Sequence, residues 1–325
     1  MTHSIPASRK AAVLPAAGIG DALLMTIAAY HLSCAGYQVT LFHDRIHELA
    51  EWLPYCHFSP APQSEASLEP FDLVVAENDN SPKIKQWIQA FKEGRIKKLS
   101  LFYPTYLASK HGPLSIYDRT FFPDQPMAYN IGYAIRSLLQ SLSPETTFEA
   151  HDLRNNAMIP AGALTHRAHP RRILLHPTSR EPKKNWAPAH FEKLALQLKK
   201  RGYDPHFCVS PTECPDWEPV TLRTGCPLPH FPSLSHLAAY IYESGGLIGN
   251  DSFAGHLASN LQIPVITIAN DHRRMQLWRP GWLPGELVLP PRWIPNPRIL
   301  RWKETHWSYF VPVRAVLRAF DKKFI

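Results

Sequence analysis

The sequence has no apolar run long enough to cross a bilayer, no CxxC pair, no HExxH segment, no internal repeat and no low-complexity tract. The first absence excludes a spanning helix. Five cysteines are present (Cys34, Cys56, Cys208, Cys214 and Cys226), odd in number and without regular spacing. They argue against a disulfide framework and for a reducing, cytoplasmic setting. The 17 histidines lack ligand spacing, and ENDNSP holds Asp79 alone between asparagines rather than a DxD pair. No bound metal and no cofactor is therefore expected, and His111, His166 and His169 read as surface residues.

What is present fits a globular chain of two ordinary domains: 325 residues, 45% hydrophobic and 19% charged. Net charge is +8, with pI about 9.2. The basic residues fall in scattered groups, at 95–98, 166–172, 183–184 and 272–274. This balance favours an anionic partner such as a nucleotide phosphate or an anionic membrane surface, although any single group serves equally well as solvated surface. The scatter disfavours nucleic acid. The opening segment places Arg9 and Lys10 before an apolar stretch, as a signal peptide would. Pro15, Gly18, Gly20 and Asp21 break that stretch, so it reads as a first strand and a loop. The 32 prolines concentrate after residue 205, where extended and turn segments are expected.

Strand and helix patterns alternate along the chain. Ala11–Pro15, YQVTLF, FDLVVAE and IKKLSLF read as strands, with the helix DALLMTIAAYHLSCAG ending at Gly36. The pattern lapses between Asn155 and Arg171, the expected interdomain connection. A second series follows: RRILLHP, YDPHFCVSP, GGLIGND and IPVITIAN as strands, with helices between them and a helical tail after Pro312. Such alternation predicts two doubly wound α/β domains, with a ligand cleft at the carboxyl ends of their strands.

Three loops carry candidate chemistry. GNDSFAGHLASN leaves a strand and opens a helix, where free N–H groups and the helix dipole attract phosphate. Ser252 and His256 can donate to such an anion. Asp251 or Ser252 could instead only cap the helix, with His256 a satisfied interior residue, and on this loop alone that reading is slightly preferred. HPTSREPKKNWAP offers Thr178, Ser179, Lys183 and Lys184 to a diphosphate. Trp186 is expected to pack the loop down, and Pro188 suits a helix first turn. PAAGIGDALLM holds Gly18 and Gly20 but lacks the third glycine of a dinucleotide fingerprint, which disfavours an NAD enzyme. Asp21 then opens a helix, either as a general base or as an ordinary acid complementing the dipole, the reading that residue favours by itself. The aromatic and basic residues of 278–307 could stack on bases but are better read as packing around proline-rich loops.

Three segments, in order, resemble the ADP-heptose:lipopolysaccharide heptosyltransferases and their relatives in glycosyltransferase family 9. These are GDALLMTIAAYHL, LLHPTSREPKKNWAPAHFEKLALQL and NDSFAGHLASNLQIPVITI. The resemblance implies a GT-B fold, an α/β arrangement of two Rossmann-like domains facing across a cleft. It implies inverting, metal-independent sugar transfer, with heptose from ADP-heptose as donor and a lipopolysaccharide core or related glycan as acceptor. Residues 1–160 would form the acceptor domain and 161–309 the donor domain, with helix 310–325 packing back on the N-terminal domain. By motif position Asp21 would be the base, on the acceptor-side loop with Gly18 and Gly20. Thr178, Ser179, Lys183 or Lys184, Asp251, Ser252, Gly255 and His256 would hold the donor diphosphate, with Glu213 and Pro232 near the adenosine. Such an enzyme works at the cytoplasmic face of the inner membrane, in peripheral contact with anionic lipid. The chain departs from the family at Phe253, where a glycine is usual, at Ala28, and in HRRMQLWRPGW, which lacks a glycine-rich turn. A protein-modifying transferase of the same fold and a non-catalytic nucleotide-binding protein remain the alternatives.

Overall fold

The computed structural model describes residues 9–144, 153–294 and 306–324. Part of the aromatic and basic stretch, 295–305, lies outside the described residues. The chain divides into two compact units, 1–159 and 160–325.

In the first unit, β1 (Lys10–Leu14), β2 (Gln38–Phe42), β3 (His57–Ser59), β4 (Leu73–Glu77), β5 (Leu99–Tyr103) and β6 (Asp118–Thr120) form one sheet. Its order is β3-β2-β1-β4-β5-β6, with every pairing parallel. This is the doubly wound dinucleotide-fold order. All five residues of β4 and of β5 are buried, as strands covered on both faces require. The helices are α1 (Ile19–Cys34), α2 (Pro82–Lys92), the short α3 (Ala108–His111) and α4 (Met127–Leu142). Helix α1 stops at Cys34, and Gly36 follows with φ +80°.

In the second unit, β7 (His169–His176), β8 (Asp204–Phe207), β9 (Ser244–Asn250), β10 (Val265–Ile268) and β11 (Glu286–Val288) order as β11-β10-β9-β7-β8, again all parallel. Counted within the unit this is the 2-1-3-4-5 arrangement, whose switch point lies between β7 and β9. Helices α5 (Pro188–Lys200), α6 (Cys214–Thr224), α7 (Leu234–Tyr242), α8 (Phe253–Asn260), α9 (His272–Trp278) and α10 (Val313–Phe324) accompany it.

Two expectations are corrected. Helix α10 does not spend its apolar face on the N-terminal half. Val313, Val316, Leu317 and Phe320 are buried in one cluster with Trp186, Phe191 and Ile266 of the second unit. The tail forms an apolar stripe at helical spacing, and the open face beside α5 and β11 takes it. His111 is only half surface. Its ring stacks on Tyr106 with centroids 5.7 Å apart, and its Nδ1 accepts from Leu107 N–H at 3.0 Å.

Candidate functional site

The second sheet brings four loops to the carboxyl ends of its strands, and named side chains join them. Asn250 ends β9, fully buried. Its Nδ2 donates to Pro177 O at 2.6 Å and its Oδ1 accepts from Trp186 N–H at 3.0 Å. One side chain thus holds both ends of the loop after β7. Gly249 before it must be a glycine, because a Cβ there would lie 2.7 Å from His176 O across the β7–β9 pairing. Trp186 is buried as expected, and its indole donates to Val311 O at 2.8 Å. Pro188 takes the first turn of α5.

Within that loop Ser179 donates to Asn185 Oδ1 at 2.7 Å or to Glu181 O at 3.0 Å, so it shapes the turn. The two lysines part company. Lys183 leaves its side chain 77% exposed, while that of Lys184 is 14% exposed and its ammonium pairs with Glu181. The paired cations hold the Glu181 carboxyl below its ordinary range, Lys184 contributing most. Thr178 turns to the neighbouring loop and donates to Glu213 Oε2 at 3.1 Å. The same oxygen accepts from Ser210 N–H at 2.9 Å and Ser210 Oγ at 2.6 Å in a capping box. Glu213 therefore ties two loops together. Pro232 lies exposed before α7.

At α8 the capping alternative fails. Ser252 occupies the N-cap, but its hydroxyl makes no capping bond and is buried without a hydrogen-bond partner among the described residues. Asp251 turns away, accepting from Arg274 Nε at 3.1 Å on α9, whose own cap is Asp271. His256, one turn in, is buried, and its Nδ1 has no hydrogen-bond partner among the described residues. Burial lowers its pKa, with Asp251 opposing and Arg274 assisting. Two polar atoms at the positive end of a helix are thus left for an external acceptor or donor. Gly255 does not offer a side surface to a ligand. A Cβ there would point at Pro280, Val265 and Thr267, so the residue seats α8 on β10 and has only backbone to contribute.

His176, at the end of β7, carries no sequence signal beyond closing an apolar strand. Its Nδ1 lies 2.6 Å from Cys208 O, which places the proton on Nδ1, and burial lowers its pKa. Asn250 and Arg274 are further site residues that no motif marks. Their signals were the polar residue closing GGLIGN and the HRR group directly after the last apolar strand.

The first unit holds Asp21, Gly18 and Gly20. Gly18 is the N-cap of α1 and Asp21 its third residue. The Asp21 carboxylate folds back over Gly18, where any Cβ would collide with Oδ2. Glu77 closes β4, and in the sequence it is an ordinary strand end. It is buried and accepts from Ala16 N–H at 3.1 Å. Burial, then the Asp21 carboxylate, pushes its carboxyl up to about 8 against the pull of that N–H. Asp21 and Glu77 follow β1 and β4, the switch point of the first sheet.

Each unit is a doubly wound parallel α/β unit, as in the GT-B fold, and the second carries buried polar atoms at a helix terminus beside its switch point. A model of glycosyltransferase family 9 (heptosyltransferase) matches residues 122–281. Over that segment, just under half of the chain, the protein is similar to the glycosyltransferases of that family. It is similar in fold to E. coli heptosyltransferase WaaC with ADP, at TM-score 0.68 and 12% identity over 96% of this chain and 99% of that one. E. coli ADP-heptose lps heptosyltransferase II matches at TM-score 0.65 and 15% identity, covering 97% of this chain and 98% of that one. The iron-containing dodecameric glycosyltransferase TibC from enterotoxigenic E. coli matches at TM-score 0.57 and 12% identity, covering 97% of this chain and 76% of that one. A comparison with curated protein sequences finds no match. Among the described residues no helix is long and apolar enough to cross a membrane.

Proposed function

We propose that the protein is an inverting transferase that moves heptose from ADP-heptose to a hydroxyl of a lipopolysaccharide core or a related glycan. The observation that carries the donor side is the pair of unpartnered buried atoms, Ser252 Oγ and His256 Nδ1, at the start of α8. When the sugar leaves, charge develops on the terminal phosphate. The N–H groups of residues 253–255, the Ser252 hydroxyl and the Lys184 ammonium are the donors that would meet it. Asn250 and Glu213 hold the loops that carry them. Asp21 would take the proton from the attacking hydroxyl. These donors are what a diphosphate needs when protein cations do the neutralising, and the reading is of metal-independent transfer without a bound cofactor. The basic balance of the chain would favour a phosphorylated glycolipid acceptor at the anionic, cytoplasmic surface of an inner membrane.

Ser252→Ala separates a ligand site from a merely structural one. The free protein should keep its stability within about 0.5 kcal/mol, because the hydroxyl makes no bond to lose. Affinity for ADP, read by thermal shift, should fall about tenfold. ADP at a hundred times its Kd should stabilise the wild type by about 2.7 kcal/mol, with or without EDTA. A preference for UDP or GDP would move the donor. Stabilisation by NAD alone, or by no nucleotide, would overturn the reading.

A further inference from the structure

Helix α9 carries a cation to the start of α8. Strands β9 and β10 pair directly, so the loops that follow them lie side by side at one sheet edge. Arg274, in the first turn of α9, donates from Nε to Asp251 Oδ2 at 3.1 Å. Asp251 stands one residue before the N-cap of α8. Asp271 caps α9 by accepting from the N–H groups of Arg273 and Arg274, which fixes the backbone that the Arg274 side chain leaves. The Trp278 ring centroid lies 5.6 Å from the guanidinium carbon. The fork is thus held by an aromatic face and by one of its nitrogens. Among the described residues its Nη1–Nη2 edge has no hydrogen-bond partner.

We propose that Arg274 is a further binding residue for the donor diphosphate, with Asp251 as its positioning residue rather than a contact of the ligand. The inference rests on the reading of the α8 start as the diphosphate site. A carboxylate only accepts hydrogen bonds, and alone beside a diphosphate it would repel it. Paired with Arg274 it is neutralised, and it orients a planar fork whose remaining edge matches two phosphate oxygens. The exposures agree: the Asp251 side chain is 9% exposed and that of Arg274 42%, so the carboxylate is covered and the cation keeps an open side. Both charges also act on the buried ring of His256, whose Nδ1 is unpartnered among the described residues. Arg274 falls in HRRMQLWRPGW, where the chain departs from the family, so the resemblance does not supply it.

The test is titration calorimetry of the full chain with ADP and with adenosine, for wild type, Ser252→Ala, Arg274→Ala, Arg274→Lys, Asp251→Ala and the double variant Asp251→Ala/Arg274→Ala. Arg274→Ala should weaken ADP about 10- to 100-fold and leave adenosine unchanged, a split that a merely structural role would not give. Arg274→Lys should recover part of the loss, since it keeps the charge without the fork. Asp251→Ala should weaken ADP about 3- to 10-fold, the effect of freeing one long side chain. In the double variant it should add no loss to that of Arg274→Ala, because Asp251 acts through the arginine. Additive losses would show Asp251 meeting the ligand itself and overturn the assignment. Tight ADP binding that Ser252→Ala weakens and Arg274→Ala leaves intact overturns this inference alone. Wild-type protein that binds ADP no more tightly than adenosine overturns the diphosphate reading and this inference together.

Discussion

Gly18 shows how much one missing side chain decides. Its backbone is extended, with φ −79° and ψ 138°, so no conformational demand calls for glycine. Space does: the Asp21 carboxylate occupies the place where a Cβ would be. Gly18→Ala should therefore displace that carboxylate without unfolding the chain. Turnover should fall about 10- to 100-fold, as for other small misplacements of a reacting group, with the melting temperature nearly unchanged. Equal activity in the alanine variant would remove Asp21 from the reaction. The pair Gly18 and Asp21 was legible in GIGD because the two are neighbours in sequence. Glu77 was not, since the bond from Ala16 spans 61 positions and the residue ends an ordinary apolar strand. Lys183 and Lys184 were equally placed by spacing, and only burial separated them.

Among elements, the loop after β7 and the start of α8 form one piece of architecture, joined by Asn250. Asn250→Ala leaves Pro177 O and Trp186 N–H buried and unpaired. The expected cost is about 2–6 kcal/mol, from two groups at roughly 1–3 kcal/mol each. For a unit of this size that lowers its melting temperature by roughly 2–4 °C per kcal/mol. ADP affinity should fall with it, because the loop carrying Lys184 loses both of its anchors to β9. Calorimetry showing an unchanged transition would refute the anchor. The strands themselves were readable from period and turn residues, since buried parallel strands are short apolar runs. The short β3, β6 and β11 were not, having three residues each and partly exposed patterns. Helix α10 was readable as a helix, but its partner was not, because an apolar stripe does not name the surface that covers it.

Across the whole molecule, opposing titrations should shape stability. Burial lowers the pKa of His43, His176 and His256 from the ordinary 6.5. The unfolded chain then binds more protons, so their contribution is present above 6.5 and lost as pH falls. Glu77 acts in the opposite sense, raised from 4.5 to about 8. Its contribution is present below about 4.5 and lost as pH rises to about 8. Each group can change the unfolding equilibrium by at most about tenfold per pH unit. Melting temperature should rise from about pH 5 toward 6.5, then decline gently toward 8, and Glu77→Gln should abolish the decline. A flat profile above 6.5 in the wild type would contradict a buried, protonated Glu77.

The sequence by itself determined the class of fold, the order of the three motifs and the chemistry of the loops. Those properties reside in local patterns: apolar period, the residues that end helices, and donors clustered between a strand and a helix. The tertiary structure alone decided which donors are unspent. Thr178, Ser179, Asp251 and Glu213 are engaged with other parts of the second unit, while Ser252 Oγ and His256 Nδ1 are buried without a partner among the described residues. It also set Glu77 and His43 on the turn of Asp21. Parallel strands bring distant residues to one sheet edge, and whether a polar atom there is satisfied depends on neighbours that sequence spacing does not name.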